Sequence, residues 1–173
     1  MIKLNLPLNN DDIESLNVGD RVLLSGYLYT ARDAAHKRLL ELLESGRELP
    51  IDVNGETIYY VGPSPEKPGY VVGPAGPTSS YRMDKYTPTL LNMGLKCSIG
   101  KGSRSKEVID SIKDNHAVYF AAIGGCAALI SKSIVRSELI CFEDLGTEAI
   151  RKFKVIDFPV IVAVDCRGNN IYD

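Results

Sequence analysis

The sequence predicts an α/β fold: a mixed sheet with helices packed on it, in a single domain over residues 1–173. Two observations carry this. The first half is rich in strand-like runs, and the second half alternates strand-like and helix-like segments, an order that gives layered α/β architecture. The chain has 173 residues, 45% hydrophobic and 24% charged. That is enough for one self-supporting core of ordinary composition.

Met1 to Leu4 opens as a strand, and Asn9-Asn10-Asp11-Asp12 is a turn or helix start. Gly19-Asp20 turns the chain into a strand over Arg21 to Thr30, where Val22, Leu24 and Tyr27 to Tyr29 are β-formers. From Ala34 to Leu43 the period becomes helical, with Ala35, Leu39, Leu42 and Leu43 on one stripe and Ser45-Gly46 as its end. Ile51 to Val61 is strand-like, and Asn54-Gly55 signals a hairpin. Gly62 to Pro77 is dense in Gly and Pro and reads as an ordered loop around a short strand, Tyr70 to Val72. Thr87-Pro88 fits the cap and first turn of a helix running to Met93, closed by Gly94. There follow a strand over Lys96 to Ile99, a helix over Ser103 to Asn115, a buried strand over Ala117 to Ile123 and a short helix from Cys126 to Ser131. The end reads as a strand over Glu138 to Phe142, a helix over Gly146 to Lys152 and a strand over Phe158 to Asp165 that turns at Arg167-Gly168-Asn169.

Net charge is −2, which gives no basic field for nucleic acid or an anionic membrane. No signal-peptide pattern opens the sequence, and no apolar stretch approaches the roughly 18 residues of a membrane span, so a cytoplasmic protein is expected. Cys97, Cys126, Cys141 and Cys166 form no C-x-x-C pair and read as reduced core residues. No metal site is expected from this chain alone.

Three loop-to-helix edges place cations beside small polar residues. Arg32 sits in Ala31 to Arg38 where a strand gives way to a helix. It is either a surface partner of Asp33 or a bidentate clamp for a carboxylate. His36, one turn on, is a structural histidine or an orienting one. In Gly76 to Asp84, Thr78 is a plausible N-cap, and Arg82, four residues later, shares its face if the segment is helical. In Ile99 to Lys106, Lys101 is a point charge in a Gly-Lys-Gly-Ser turn. A P-loop is excluded, because Gly94 and Gly100 are one residue too far apart and Gly102 stands where Ser or Thr must follow the lysine. Together the edges suit a small dicarboxylate. The alternative from another class is a non-catalytic module that binds an anionic metabolite or a protein.

GDRVLLSGYLYTARDAAHKRL (Gly19 to Leu39), YYVGPSPEKPGYVVGPAGPTSSYRMD (Tyr59 to Asp84), GKGSRSKEV (Gly100 to Val108), AIGGCAALI (Ala122 to Ile130) and DLGTEAIRKFKVIDFPVIVAVDCRGNNIY (Asp144 to Tyr172) resemble the β subunit, or C-terminal domain, of class I iron–sulfur fumarate hydratases and L-tartrate dehydratases. The resemblance implies a swivelling β/β/α domain. It implies a hydro-lyase acting on a C4 dicarboxylate, fumarate to malate first and tartrate as the alternative. It assigns a 4Fe-4S cluster to a partner α subunit and implies a hetero-oligomer, with a homodimer open for the isolated chain. Arg32, Arg82 and Lys101 match substrate-carboxylate positions, and Thr78 matches the proposed catalytic base. Ser79-Ser80-Tyr81 departs from the pattern of many members, where a second Thr and smaller residues stand; Thr78 and Arg82 stay in place and a reshaped pocket is expected.

Overall fold

The computed structural model describes residues 1–123 and 127–173. Its strands are β1 (Ile2–Asn5), β2 (Arg21–Thr30), β3 (Thr57–Tyr59), β4 (Cys97–Gly100), β5 (Val118–Ala122), β6 (Ile134–Cys141) and β7 (Ile150–Val164). Its α-helices are α1 (Asn10–Ser15), α2 (Asp33–Glu44), α3 (Thr87–Asn92), α4 (Lys106–Asp114) and α5 (Ala127–Ser133). The α/β expectation holds, with a mixed sheet and packed helices. Cys126, expected to open the helix now seen as α5, lies outside the described residues. No helix among them is long and apolar enough to cross a membrane.

Helix starts follow from local chemistry. Asn9 caps α1: its Oδ1 accepts from the Asp12 N–H at 2.8 Å, and the Asp12 carboxylate accepts from the Asn9 N–H at 3.1 Å. Ser105 caps α4 by accepting from the Val108 N–H. That helix therefore starts at Lys106, three residues later than its sequence suggests. Tyr86, not Thr87, precedes α3. Thr87 is already helical and its hydroxyl donates to the Met83 carbonyl at 2.8 Å.

β1 to β5 run parallel, each next to its predecessor, and β7 runs antiparallel to β2, β5 and β6. Because β7 pairs with both β2 and β5, strands β2-β3-β4-β5-β7 close into a ring, with β1 and β6 attached outside it. Strand–helix alternation thus runs from the N-terminus, not only in the second half.

Three sequence expectations fail here. Ile51 to Val61 is not a hairpin: Gly55 turns with φ +78° and its N–H donates to the Gly94 carbonyl, and only Thr57–Tyr59 is strand, held between two parallel neighbours. Tyr70 to Val72 is loop, with no ladder partner to make it a strand. Gly146 to Lys152 is not a helix. A 3₁₀ segment, Glu143–Glu148, is broken at Gly146 (φ 60°, ψ −121°) and leads at once into β7, which begins eight residues before the expected Phe158.

Side chains alternate between two cores, as central strands covered on both faces require. One core joins Val22, Leu24, Leu28, Tyr59, Ile99, Phe120, Phe153 and Val160, drawn from all five ring strands. The other lies under α2, α3 and α4 and joins Leu39, Ile58, Tyr60, Leu90, Val108, Ile112 and Tyr119. On β5, Val118 and Phe120 serve the first core, while Tyr119 and Ala121 serve the second.

Candidate active site

Three adjacent parallel strands, β2, β3 and β4, end side by side, and ligands of α/β sheets bind beyond such carboxyl ends. Arg32 follows β2 and Lys101 follows β4. Between them the Thr78 N–H donates to the Tyr60 carbonyl just past β3 at 2.7 Å. The Lys101 N–H donates to the Thr78 carbonyl at 3.3 Å, and the Ser80 N–H to the Lys101 carbonyl at 2.9 Å. Ser79 and Lys101 form a parallel bridge. Thr78 is therefore extended chain wedged between two strand exits, not a helix cap. All of these bonds are made by backbone, which leaves its hydroxyl outside them. The helical segment starts later, as the 3₁₀ turn Ser80–Met83 that carries Arg82.

Arg82 reaches back across the rim. Its Nε donates to Asp33 Oδ2 at 2.8 Å, and its Nη2 lies 2.8 Å from the same oxygen. Arg32 stands on the other side of Asp33. Its Nε is 3.6 Å from Asp33 Oδ1 and 3.6 Å from Glu148 Oε1, too far for a hydrogen bond to either. Arg32 Nε and Asp33 Oδ1 are both buried without a hydrogen-bond partner among the described residues. Glu148 accepts instead from the Ala34 N–H at 3.1 Å, in the first turn of α2. Arg32 fits because residue 62 is Gly: a Cβ there would lie 2.9 Å from Arg32 Cδ. The structure thus brings Arg32 and Arg82 together through Asp33, and Thr78 and Lys101 together through backbone. Lys101 is exposed and joins no ion pair among the described residues.

His36 is buried beneath this rim, edge-on to Tyr60 and stacked on Tyr86. Burial pushes its pKa down to about 4, with the nearby Arg104 charge adding to the fall. The ring is then neutral at pH 7, and Nδ1–H donates to the Arg32 carbonyl at 2.9 Å. His36 thereby holds the backbone from which Arg32 projects.

Sequence reasoning missed Arg104, whose side chain is 0% exposed. Its Nε donates to Asp84 Oδ1 at 2.7 Å, its Nη1 to Ser98 Oγ at 3.2 Å, and its Nη2 to Tyr60 Oη at 3.1 Å and Thr87 Oγ1 at 2.9 Å. It also lies over the Tyr60 and Tyr119 rings. Burial alone would lower its pKa. Tyr60, Asp84 and Tyr119 outweigh that and hold it up. Asp84 accepts from the Ser105 N–H at 2.8 Å as well, so one ion pair ties the Arg82 turn to the Lys101 loop. Its partners are scattered from residue 60 to residue 119, so no local pattern marks Arg104. The motif around it draws attention to Lys101.

A neighbouring cavity of about 310 Å³, lined by Pro63, Ser64, Val72, Leu139, Thr147 and Arg151 among others, does not include the four candidate side chains. Among the described residues no group of three or more His, Cys, Asp and Glu is placed to hold a metal ion. Cys97 and Cys166 are buried free thiols, and Cys141 is half-buried in β6. The described residues therefore do not fit an iron–sulfur cluster.

Over residues 1–173 the chain matches the family described as Fumarase C-terminus. It is 40% identical over 172 residues to a Methanocaldococcus jannaschii protein named "Putative L(+)-tartrate dehydratase subunit beta", covering 96% of this chain and 88% of that one. It is 41% identical over 157 residues to fumarate hydratase 2 of Leishmania major, covering 90% of this chain and 28% of that one. It is 37% identical over 175 residues to the anaerobic class I fumarate hydratase of Escherichia coli, covering 99% of this chain and 32% of that one. The chain thus spans most of the tartrate dehydratase subunit and about a third of each fumarate hydratase. A match over its whole length, together with relatives of this identity, places the chain in the fumarase C-terminus family.

Proposed function

We propose that this chain is the β part of a cytoplasmic hydro-lyase that adds water to, or removes it from, a C4 dicarboxylate. Fumarate and malate are the first pair and tartrate the alternative. The observation that carries this is the rim beyond β2, β3 and β4, where Arg32, Thr78 and Lys101 stand at neighbouring strand exits and Arg82 reaches back to Asp33 from the adjoining 3₁₀ turn. The relatives point to the same chemistry: two are named fumarate hydratases and one a tartrate dehydratase β subunit. The partner is an α subunit, which would carry the 4Fe-4S cluster that this chain's described residues do not fit.

When a proton leaves the carbon next to a carboxylate, negative charge spreads onto that carboxylate. Arg82 and Arg32 present planar forks and Lys101 a point charge to such an anion. Thr78 handles the proton. A hydroxyl is a weak base by itself, so Thr78 works either with its pKa lowered by the adjacent cations or as a relay.

The test is Thr78→Ala in the enzyme reconstituted anaerobically with its α subunit. Turnover is expected to fall by about 10²–10⁴-fold, the usual worth of a proton-transfer group, while dicarboxylate affinity stays near native. Near-native turnover would remove Thr78 from the chemistry.

A further inference from the structure

We infer that Asp33 is the positioning residue that sets the aim of Arg82 and keeps Arg32 beside it. The inference rests on the reading of those two arginines as carboxylate clamps. Asp33 stands in the first turn of α2, where a carboxylate suits the helix dipole. Among the described residues its oxygens nevertheless accept no hydrogen bond from backbone. The Ala34 N–H of that turn is taken by Glu148, and Asp33 Oδ2 turns outward to Arg82 Nε and Nη2, both at 2.8 Å. Held along that edge, the guanidinium keeps its Nη1 end for a ligand. The other oxygen, Oδ1, is buried without a hydrogen-bond partner among the described residues and sits 3.6 Å from Arg32 Nε, which likewise has none among them. One carboxylate therefore separates two cations that would otherwise repel, and fixes the distance between their free ends. Arg82 lies on a 3₁₀ turn of four residues and is 42% exposed, so little else restrains its long side chain.

The experiment is a double-mutant cycle on the full chain reconstituted with its α subunit, with kcat and KM measured for fumarate, malate and tartrate. Asp33→Asn keeps the shape and removes the charge. It is expected to raise KM for the substrate used by about 10- to 100-fold, the usual cost of losing a group that orients a contact residue. In an Arg82→Ala background the same change is expected to have a clearly smaller effect, because only the placement of Arg32 is left to lose. Asp33→Glu, which restores the charge, is expected to recover part of the loss. A native or lowered KM for Asp33→Asn beside a damaged Arg82→Ala overturns the brace alone, as does full additivity of the two losses. A native KM for Arg82→Ala overturns the clamp reading, and the brace falls with it.

Discussion

Arg104 and Arg82 each meet an aspartate through Nε, at 2.7 and 2.8 Å, yet the two pairs end in opposite situations. Arg104 is sealed, and hydroxyls of Ser98, Tyr60 and Thr87 take up its remaining nitrogens. Arg82 stands at the rim, and among the described residues its far end is uncommitted. The difference teaches where structure stops and site begins. A guanidinium with every edge engaged is a strut, whereas one held along a single edge is a strut with a hand left open. The strut stands beneath the hand, because Asp84 follows Arg82 by two residues and binds Arg104.

The widest separation between the two pairs is expected in stability. Asp84→Ala would leave the Arg104 charge buried without its counter-ion and is expected to cost about 3–5 kcal/mol, readable as a lower urea midpoint. A loss under about 1 kcal/mol would mean that Arg104 is not held by this pair.

His36 gives a second, pH-dependent contrast. Its pKa is about 4 in the folded chain against about 6.5 when unfolded, so the unfolded state takes up the proton first as pH falls. Its share of stability is constant above about pH 6.5, falls between there and pH 4, and levels off below. The total is about 3 kcal/mol at 1.36 kcal/mol per pH unit. Urea unfolding from pH 7 to 4 is expected to show a shallower loss for His36→Gln than for the native chain. Parallel curves would show that His36 does not resist protonation.

Arg82→Ala gives the smallest effect on stability and sharpens the contrast most. A partly exposed pair is screened, so the fold is expected to lose no more than about 1 kcal/mol, although the reconstituted enzyme should lose dicarboxylate affinity. A stability loss as large as that of Asp84→Ala would erase the distinction between the two pairs.

The sequence showed the parallel half of this fold well because its cues are local. β2 occupies the expected Arg21–Thr30, and α2 lies where the spacing of Ala35 and Leu39 puts it. Two of the failures share one cause, which is pairing with distant chain. Asn54-Gly55 carries a hairpin signal, but Thr57–Tyr59 finds its neighbours in β2 and β4. In the first half of β7 the apolar Ile150, Phe153 and Val155 are interleaved with Arg151, Lys152 and Lys154. That mixture declares a strand only once β2 and β6 flank it. At the site the same rule applies. Arg32, Thr78, Arg82 and Lys101 stand out beside glycines and hydroxyls in short motifs. Arg104 acquires its meaning from Tyr60, Asp84 and Tyr119, and Asp33 from a side chain 49 residues away.

The ring of strands is closed by its last strand in chain order. β7 follows β2 by well over a hundred residues and seals the gap between β2 and β5. Until Ile150–Val164 has left the ribosome, those two strands have bare edges, the kind of surface on which neighbouring nascent chains pair and aggregate. Most contacts of β7 also bridge long stretches of chain, which slows folding. The ring must therefore stay unsealed until β7 is made, before its rim can take shape. During synthesis that interval is a window for chaperone binding.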